Sequence, residues 1–146
     1  MQALCSNFST ILSSPRRDCQ EQIQNSLYKF PGCPGTDVEN LAHALILCTG
    51  NNAVGTRIMQ TLHSFVPGLG VDEALHLDFT VEESLRLPLV FAMAVAFGTL
   101  WDLRLRKIRP QLYLVRAQLE AKVSLLRECR HFTNDAAVLD TFIDTL

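Results

Sequence analysis

No stretch of this sequence alternates apolar and polar residues for long enough, with a turn and a second such run behind it, to make a strand pair. Internal repeats and low-complexity tracts are also missing, which excludes solenoids and fibrous folds. Neither sign of charge dominates. Lys and Arg number 13 and Asp and Glu 15, so the net charge of −2 exerts no global pull toward nucleic acid or anionic lipid. The cysteines (Cys5, Cys19, Cys33, Cys48 and Cys129) are odd in number and share no repeated spacing. That argues against a secreted disulfide framework and for a reducing, intracellular compartment, cytoplasmic or nuclear. The start, Met1 to Ser14, lacks the basic and long apolar regions of a secretory signal. It is serine-rich and free of acid until Asp18, with Arg16 and Arg17, a faint echo of a mitochondrial presequence. The uncharged run from Leu87 to Trp101 is fifteen residues long. A bilayer span needs about 20, and this run holds Pro88, Gly98 and Thr99 between Arg86 and Asp102. A core helix is therefore expected, and no membrane.

Catalytic patterns are absent too. Ser, His and Asp residues stand in no nucleophile context. Gly68-Leu69-Gly70 lacks the third glycine, the lysine and the preceding strand of a phosphate loop. Glu82-Glu83 and Asp72-Glu73 fall at expected helix starts, where the helix dipole accounts for them. The chain is not expected to be an enzyme.

What is present is a globular composition. The chain has 146 residues, 48% hydrophobic and 19% charged, enough for one domain with a real core. The expected fold class is all-α. Residues 1–30 are a poorly patterned N-terminal segment, and 31–146 form a single helical domain. That domain is built on an antiparallel helical hairpin from about Leu85 to Arg130. The first arm is apolar all round and should be buried from several sides. The second arm, from Pro110, places Leu112, Val115, Leu119, Val123 and Leu126 on one face. The join, Arg104 to Arg109, is basic and ends at a proline, which suits the first position of a new helix.

Shorter helices are expected around the hairpin. Asp18 to Lys29 carries a narrow stripe, Ile23 and Leu27. After the Pro31–Gly35 turn, Thr36 and Glu39 have capping-box spacing and open a helix that Gly50-Asn51-Asn52 stops. A helix from about Asn52 to Phe65 turns Val54, Ile58, Leu62 and Phe65 inward. A short one follows at Val71–Leu77, and Leu77-Asp78-Phe79 could be extended. Thr80 and Glu83 form a second capping box, and Pro88 threatens to break that helix early. Asn134 or Asp135 caps a last helix with Ala136, Leu139, Phe142 and Ile143 inside.

Two places could carry function. Cys33 lies in a Pro/Gly turn just before the helix that holds His43 and Cys48, and a turn followed by a helix can deliver zinc ligands from two sides. Three ligands are visible. A paired-cysteine knuckle would need a cysteine at position 30, which is Phe30; Cys19 serves as the fourth only if the segment before the turn folds back. The plainer reading makes Cys48 a small core residue and His43 a half-exposed one. The second place is the basic join. Residues 101–130 carry eight Lys and Arg against three Asp and Glu. Arg104, Arg106, Lys107 and Arg109 lie between Trp101 and Tyr113, and arginines interleaved with aromatics can clamp single-stranded nucleic acid. Equally, Trp101 can cap the core while the arginines stay in water.

The run Cys33-Pro34-Gly35, followed by Glu39-Asn40-Leu41-Ala42-His43-Ala44-Leu45-Ile46-Leu47-Cys48, resembles the Cys/His knuckle behind the polymerase domain of non-LTR (LINE-type) retrotransposon reverse transcriptases. Val66-Pro67-Gly68-Leu69, Ala74 to Phe79, Leu87 to Phe91, Trp101 to Arg104 and Val115 to Arg127 follow in the order of such a tail. The resemblance covers about residues 28–146. It implies a non-catalytic C-terminal module, beside a parent polymerase domain, that assists RNA or DNA binding. No polymerase or endonuclease motif lies in this chain. The family's first cysteine falls on Phe30, so the implied zinc knuckle is degenerate, held by Cys33, His43 and Cys48. The rival expectation is a helical protein-interaction module, or a homo-oligomer, with no nucleic-acid role.

Overall fold

A computed structural model of the chain describes residues 30–33 and 40–146. The expected helix at Asp18–Lys29, the Thr36–Glu39 capping box and Cys19 lie outside the described residues. Among the described residues the fold is all helical, with no strand. A π-helical turn, His43–Leu47, and a short 3-10 turn, Thr49–Asn51, lead into α1 (Val54–Phe65). Then come α2 (Val71–Leu75), α3 (Glu83–Leu105), α4 (Leu112–Arg127) and α5 (Thr133–Thr145).

The hairpin is α3 and α4. α5 packs against both, and α1 and the π-turn cover another side of α3. α3 therefore lies in the middle, with Leu89, Ala92, Met93, Ala96, Phe97 and Leu100 fully buried. It is long and apolar enough to cross a membrane, with a mean hydropathy of 1.5 over its most apolar window. In this fold α1, α4 and α5 cover part of it: 44% of that window is buried, and Leu87 stays exposed. α4 is amphipathic as its spacing requires: Val115, Leu119 and Val123 are buried, while Leu112 and Leu126 pack at the edge of the core. All four expected residues of α5 are inside, and Phe142 meets Phe65 of α1 with ring centroids 5.9 Å apart. Each such side chain contributes about 1.5–3 kcal/mol when fully buried.

Four local expectations are corrected. Pro88 does not end its helix but sits inside α3. The buried ring and the packing on both sides offset the lost hydrogen bond to the Ser84 carbonyl. Thr80 caps nothing, because α3 starts at Glu83. Phe79 is buried, Thr80 exposed and Val81 half-buried, in a segment that is neither helix nor strand. Pro110 is not the first residue of α4. Helix α4 begins at Leu112 with Gln111 before it, and Pro110 holds the incoming chain extended. Asn134 and Asp135 lie within α5, which starts at Thr133 behind the 3-10 turn Arg130–Phe132.

Two terminal contacts tie the body together. Arg57 of α1 donates from Nε to the Leu146 carbonyl at 2.9 Å and from its terminal nitrogen to the Thr145 carbonyl at 2.7 Å. A guanidinium at the end of α5 meets carbonyls that have no helical partner, where the dipole favours positive charge. At the other turn, α3 closes with Lys107 N–H on the Arg104 carbonyl and Ile108 N–H on the Leu103 carbonyl. Lys107 takes the left-handed conformation, φ 55°, that glycine usually fills there.

Pro88→Ala restores a donor to the Ser84 carbonyl. It should raise the unfolding free energy in urea by about 1–2 kcal/mol, the helix gain of about 3 kcal/mol being partly offset by lost ring packing.

Candidate metal centre

The chain around Cys33 is a tight turn. Cys33 N–H donates to the Phe30 carbonyl at 3.1 Å, with Gly32 at φ 85° where a side chain would be strained. Asn40 opens the next segment: its Oδ1 accepts the His43 N–H at 2.8 Å and its carbonyl the Ala44 N–H at 2.8 Å. The helix then widens into the π-turn, in which Cys48 N–H reaches the His43 carbonyl five residues back at 2.8 Å. This widening matters. In an α-helix residues five apart stand about 140° apart around the axis. An i→i+5 turn closes much of that angle, bringing His43 and Cys48 onto one face.

The result is a cluster. The donor atoms of Cys33, His43 and Cys48 all lie within 4.8 Å of one another, close enough to bind a metal ion. Cys33 Sγ and His43 Nε2 are 3.5 Å apart. His43 and Cys48 are buried and Cys33 half-buried. Two thiols and an imidazole form a donor set suited to a thiophilic metal. Among the described residues no fourth Cys, His, Asp or Glu joins the group.

Burial pushes the Cys48 thiol up from 9.0 to about 11, and the neighbouring Cys33 adds to the rise. Two groups oppose it. Gly50 gives Cys48 a backbone hydrogen bond, and the Arg104 charge favours the thiolate. The same two groups would steady a metal-bound thiolate sulfur.

Three residues hold this site in shape: Gly50 and Asn51, expected only as a helix stop, and Gly55, which the sequence did not single out. Asn51, buried, donates from Nδ2 to the Leu45 carbonyl at 3.2 Å and the Ile46 carbonyl at 3.0 Å. Those are carbonyls of the π-turn. Gly55 lets α1 approach: a Cβ there would stand 2.2 Å from the Leu45 carbonyl oxygen. At Gly50 a Cβ would come within 2.8 Å of the Phe30 Cβ. Gly50 and Asn51, expected as a helix stop, are here contact residues. The spacing Gly50-Asn51 and Gly55 behind a ligand cysteine was the available signal.

Phe30, where a paired cysteine would stand, is buried with Cys48 and Leu103. Its ring lies under the Arg104 guanidinium, whose carbon is 5.5 Å from the ring centroid. This corrects the reading of Arg104 as a nucleic-acid contact. Arg104 is 0% exposed. It follows Phe97, Leu100 and Trp101 at helical spacing, so its register on α3 carries it inward. Arg106, Lys107 and Arg109 remain exposed on the join. Arg106 pairs with Asp102 at 3.1 Å. Of the two flanking aromatics, Trp101 is 2% exposed and belongs to the core, whereas Tyr113 is 66% exposed. His63 and His76 bind backbone carbonyls near their own helices, Leu69 and Asp72 respectively.

No family model, no curated protein and no solved structure matches this chain.

Asn51→Ala leaves two buried carbonyls without their donor and should cost about 1–3 kcal/mol in chemical denaturation. For the metal-free chain, folding holds the Cys48 proton more tightly than the unfolded state does. The stability it contributes is full below pH 9.0 and is lost as pH climbs through about 11. Melting curves should fall across that window, and Cys48→Ala should flatten the fall.

Proposed function

We propose that this chain is a non-catalytic helical module from the C-terminal region of a retroelement reverse transcriptase. In this reading a zinc ion supports the knuckle, and the helical body assists RNA or DNA binding in a reducing, intracellular compartment. The observation that carries it is the meeting of Cys33, His43 and Cys48 across a turn and a π-turn. Zinc bonds of about 2.3 Å to sulfur and 2.1 Å to nitrogen give a tetrahedral S–N edge of about 3.6 Å. The 3.5 Å between Cys33 Sγ and His43 Nε2 suits that edge. Zinc would here be structural, cross-linking the Cys33 turn to the segment that leads into α1. A fourth ligand would come from outside the described residues, Cys19 being the candidate, or from water. The exposed cations Arg106, Lys107 and Arg109 would meet phosphates.

Metal analysis after purification without chelator tests the centre. About one zinc per chain, lost in His43→Ala, supports it; a folded, helical, zinc-free wild type overturns it. Binding to RNA or DNA should weaken as salt rises, and more gently in Arg106→Ala/Arg109→Ala. Binding indifferent to salt would remove the nucleic-acid role. Lys107→Gly is informative because it relieves a left-handed residue. Stability should rise by up to about 1 kcal/mol while affinity falls.

The exposed Leu47, Leu87 and Leu125 favour a second reading, a helical interaction or self-association module. Sedimentation that gives a monomer at micromolar concentration would count against self-association.

A further inference from the structure

Along the hairpin, between α3 and α4, runs a groove of about 750 Å³. Small residues of both helices, Ala94, Gly98 and Ala117, are part of its lining, so a flat group can come close to the backbone there. Tyr113, Arg106, Lys122 and Gln118 also line it. Tyr113 is the most exposed large apolar side chain among the described residues, a ring that the core leaves to solvent. Asp102 is the one carboxylate in the lining, and it is already paired with Arg106. Lys107 and Arg109 stand exposed on the join beside it.

We propose that this groove binds single-stranded RNA or DNA, with a base stacked on Tyr113 and phosphates met by Arg106 and Lys122. The inference rests on the nucleic-acid reading above and goes beyond it in naming the face, the form of the strand and the stacking residue. Charge complementarity favours a polynucleotide: the lining and the adjoining join hold four cations against one paired carboxylate. The other ingredients fit the same ligand. An exposed ring offers a stacking platform that tolerates any base, and the Gln118 amide can both donate to and accept from a base edge. A partner helix would instead seek a continuous apolar floor. Here Val95, Leu103, Ile108 and Leu114 share the lining with Thr99, Asp102, Arg106, Gln118 and Lys122. A duplex presents no unstacked base to the ring.

The test uses the full chain and fluorescein-labelled oligouridylate and oligothymidylate of about twelve nucleotides, within the usual span of single-strand sites. A duplex of equal length is the comparison, and fluorescence anisotropy the readout. Single strands should bind more tightly than the duplex. Tyr113→Ala should weaken them about five-fold or more, and Tyr113→Phe should restore binding, since stacking needs the ring and not the hydroxyl. Lys122→Ala should lower the salt slope by about 0.7. Oligouridylate and oligothymidylate bound alike mean backbone-blind recognition, and a difference between them says which strand the groove takes. Both patterns support the groove. Unchanged affinity in Tyr113→Ala, or a duplex bound as tightly as a single strand, overturns it. In that case binding that still falls with salt and with Arg109→Ala leaves the basic join as the contact. Absence of binding to all three probes overturns both this inference and the reading beneath it.

Discussion

A helix with no polar face cannot stay uncovered in water, and that constraint organises this molecule. α3 carries its apolar residues around most of its circumference, so one neighbouring helix cannot bury it. α4 covers one side, α5 a second, and α1 with the π-turn a third. α4 and α5 each touch α3 and one another but keep a solvent side, so neither has to be apolar all round. The polar character of the protein is thereby pushed to the outer faces of α4 and α5 and to the connection between α3 and α4. That is why the exposed cations gather on the join.

The metal cluster is built by a different logic, one of backbone rather than side-chain packing. A π-turn leaves carbonyls poorly placed for their own helix, and such carbonyls must find donors when buried. Asn51 supplies both from one amide. It can reach them because Gly55 lacks the Cβ that would hold α1 off the π-turn, while Gly50 lets the Phe30–Cys33 turn close in from the other side. Cys48 and His43 then face Cys33 with little freedom left in the backbone that carries them. Below them, Arg104 and Phe30 fill the interior with a cation on a ring. A charge so deep is tolerated where it has polarisable and electronegative neighbours, and the Cys48 sulfur is one of them.

The helices were readable because their burial follows simple periods. Val115, Leu119 and Val123 repeat at four, and Ala136, Leu139, Phe142 and Ile143 at three and four, and those residues are inside. Boundaries were less readable. Thr80 has the right spacing to Glu83, yet the helix starts two residues later than such a cap would place it, with Glu82 before it. Pro88 obeys its local cost and yet stays helical, because tertiary packing outweighs one missing bond. The meeting of Cys33, His43 and Cys48 was expected from residue type and from a turn followed by a helix, but not the means of it, since the 100° rule sends positions 43 and 48 apart unless the helix widens. Arg104 was misread for a related reason: in a run of cations it looks solvated, while its spacing from Phe97 and Trp101 sets it on the inner face. Trp101 could be read either as a core cap or as a stacking ring beside the join, and the packing of α3 decides for the core, while Tyr113 stays exposed.

The hydrogen bonds from Arg57 to Thr145 and Leu146 join positions nearly ninety residues apart. The contacts among α3, α4 and α5, by contrast, lie within one stretch of chain whose two connections are short, although α3 and α5 meet across α4 in the sequence. Loop-closure entropy makes near neighbours cheap to assemble and distant ones costly. The three later helices can thus collapse as one local unit, and α1 arrives afterwards as the clasp.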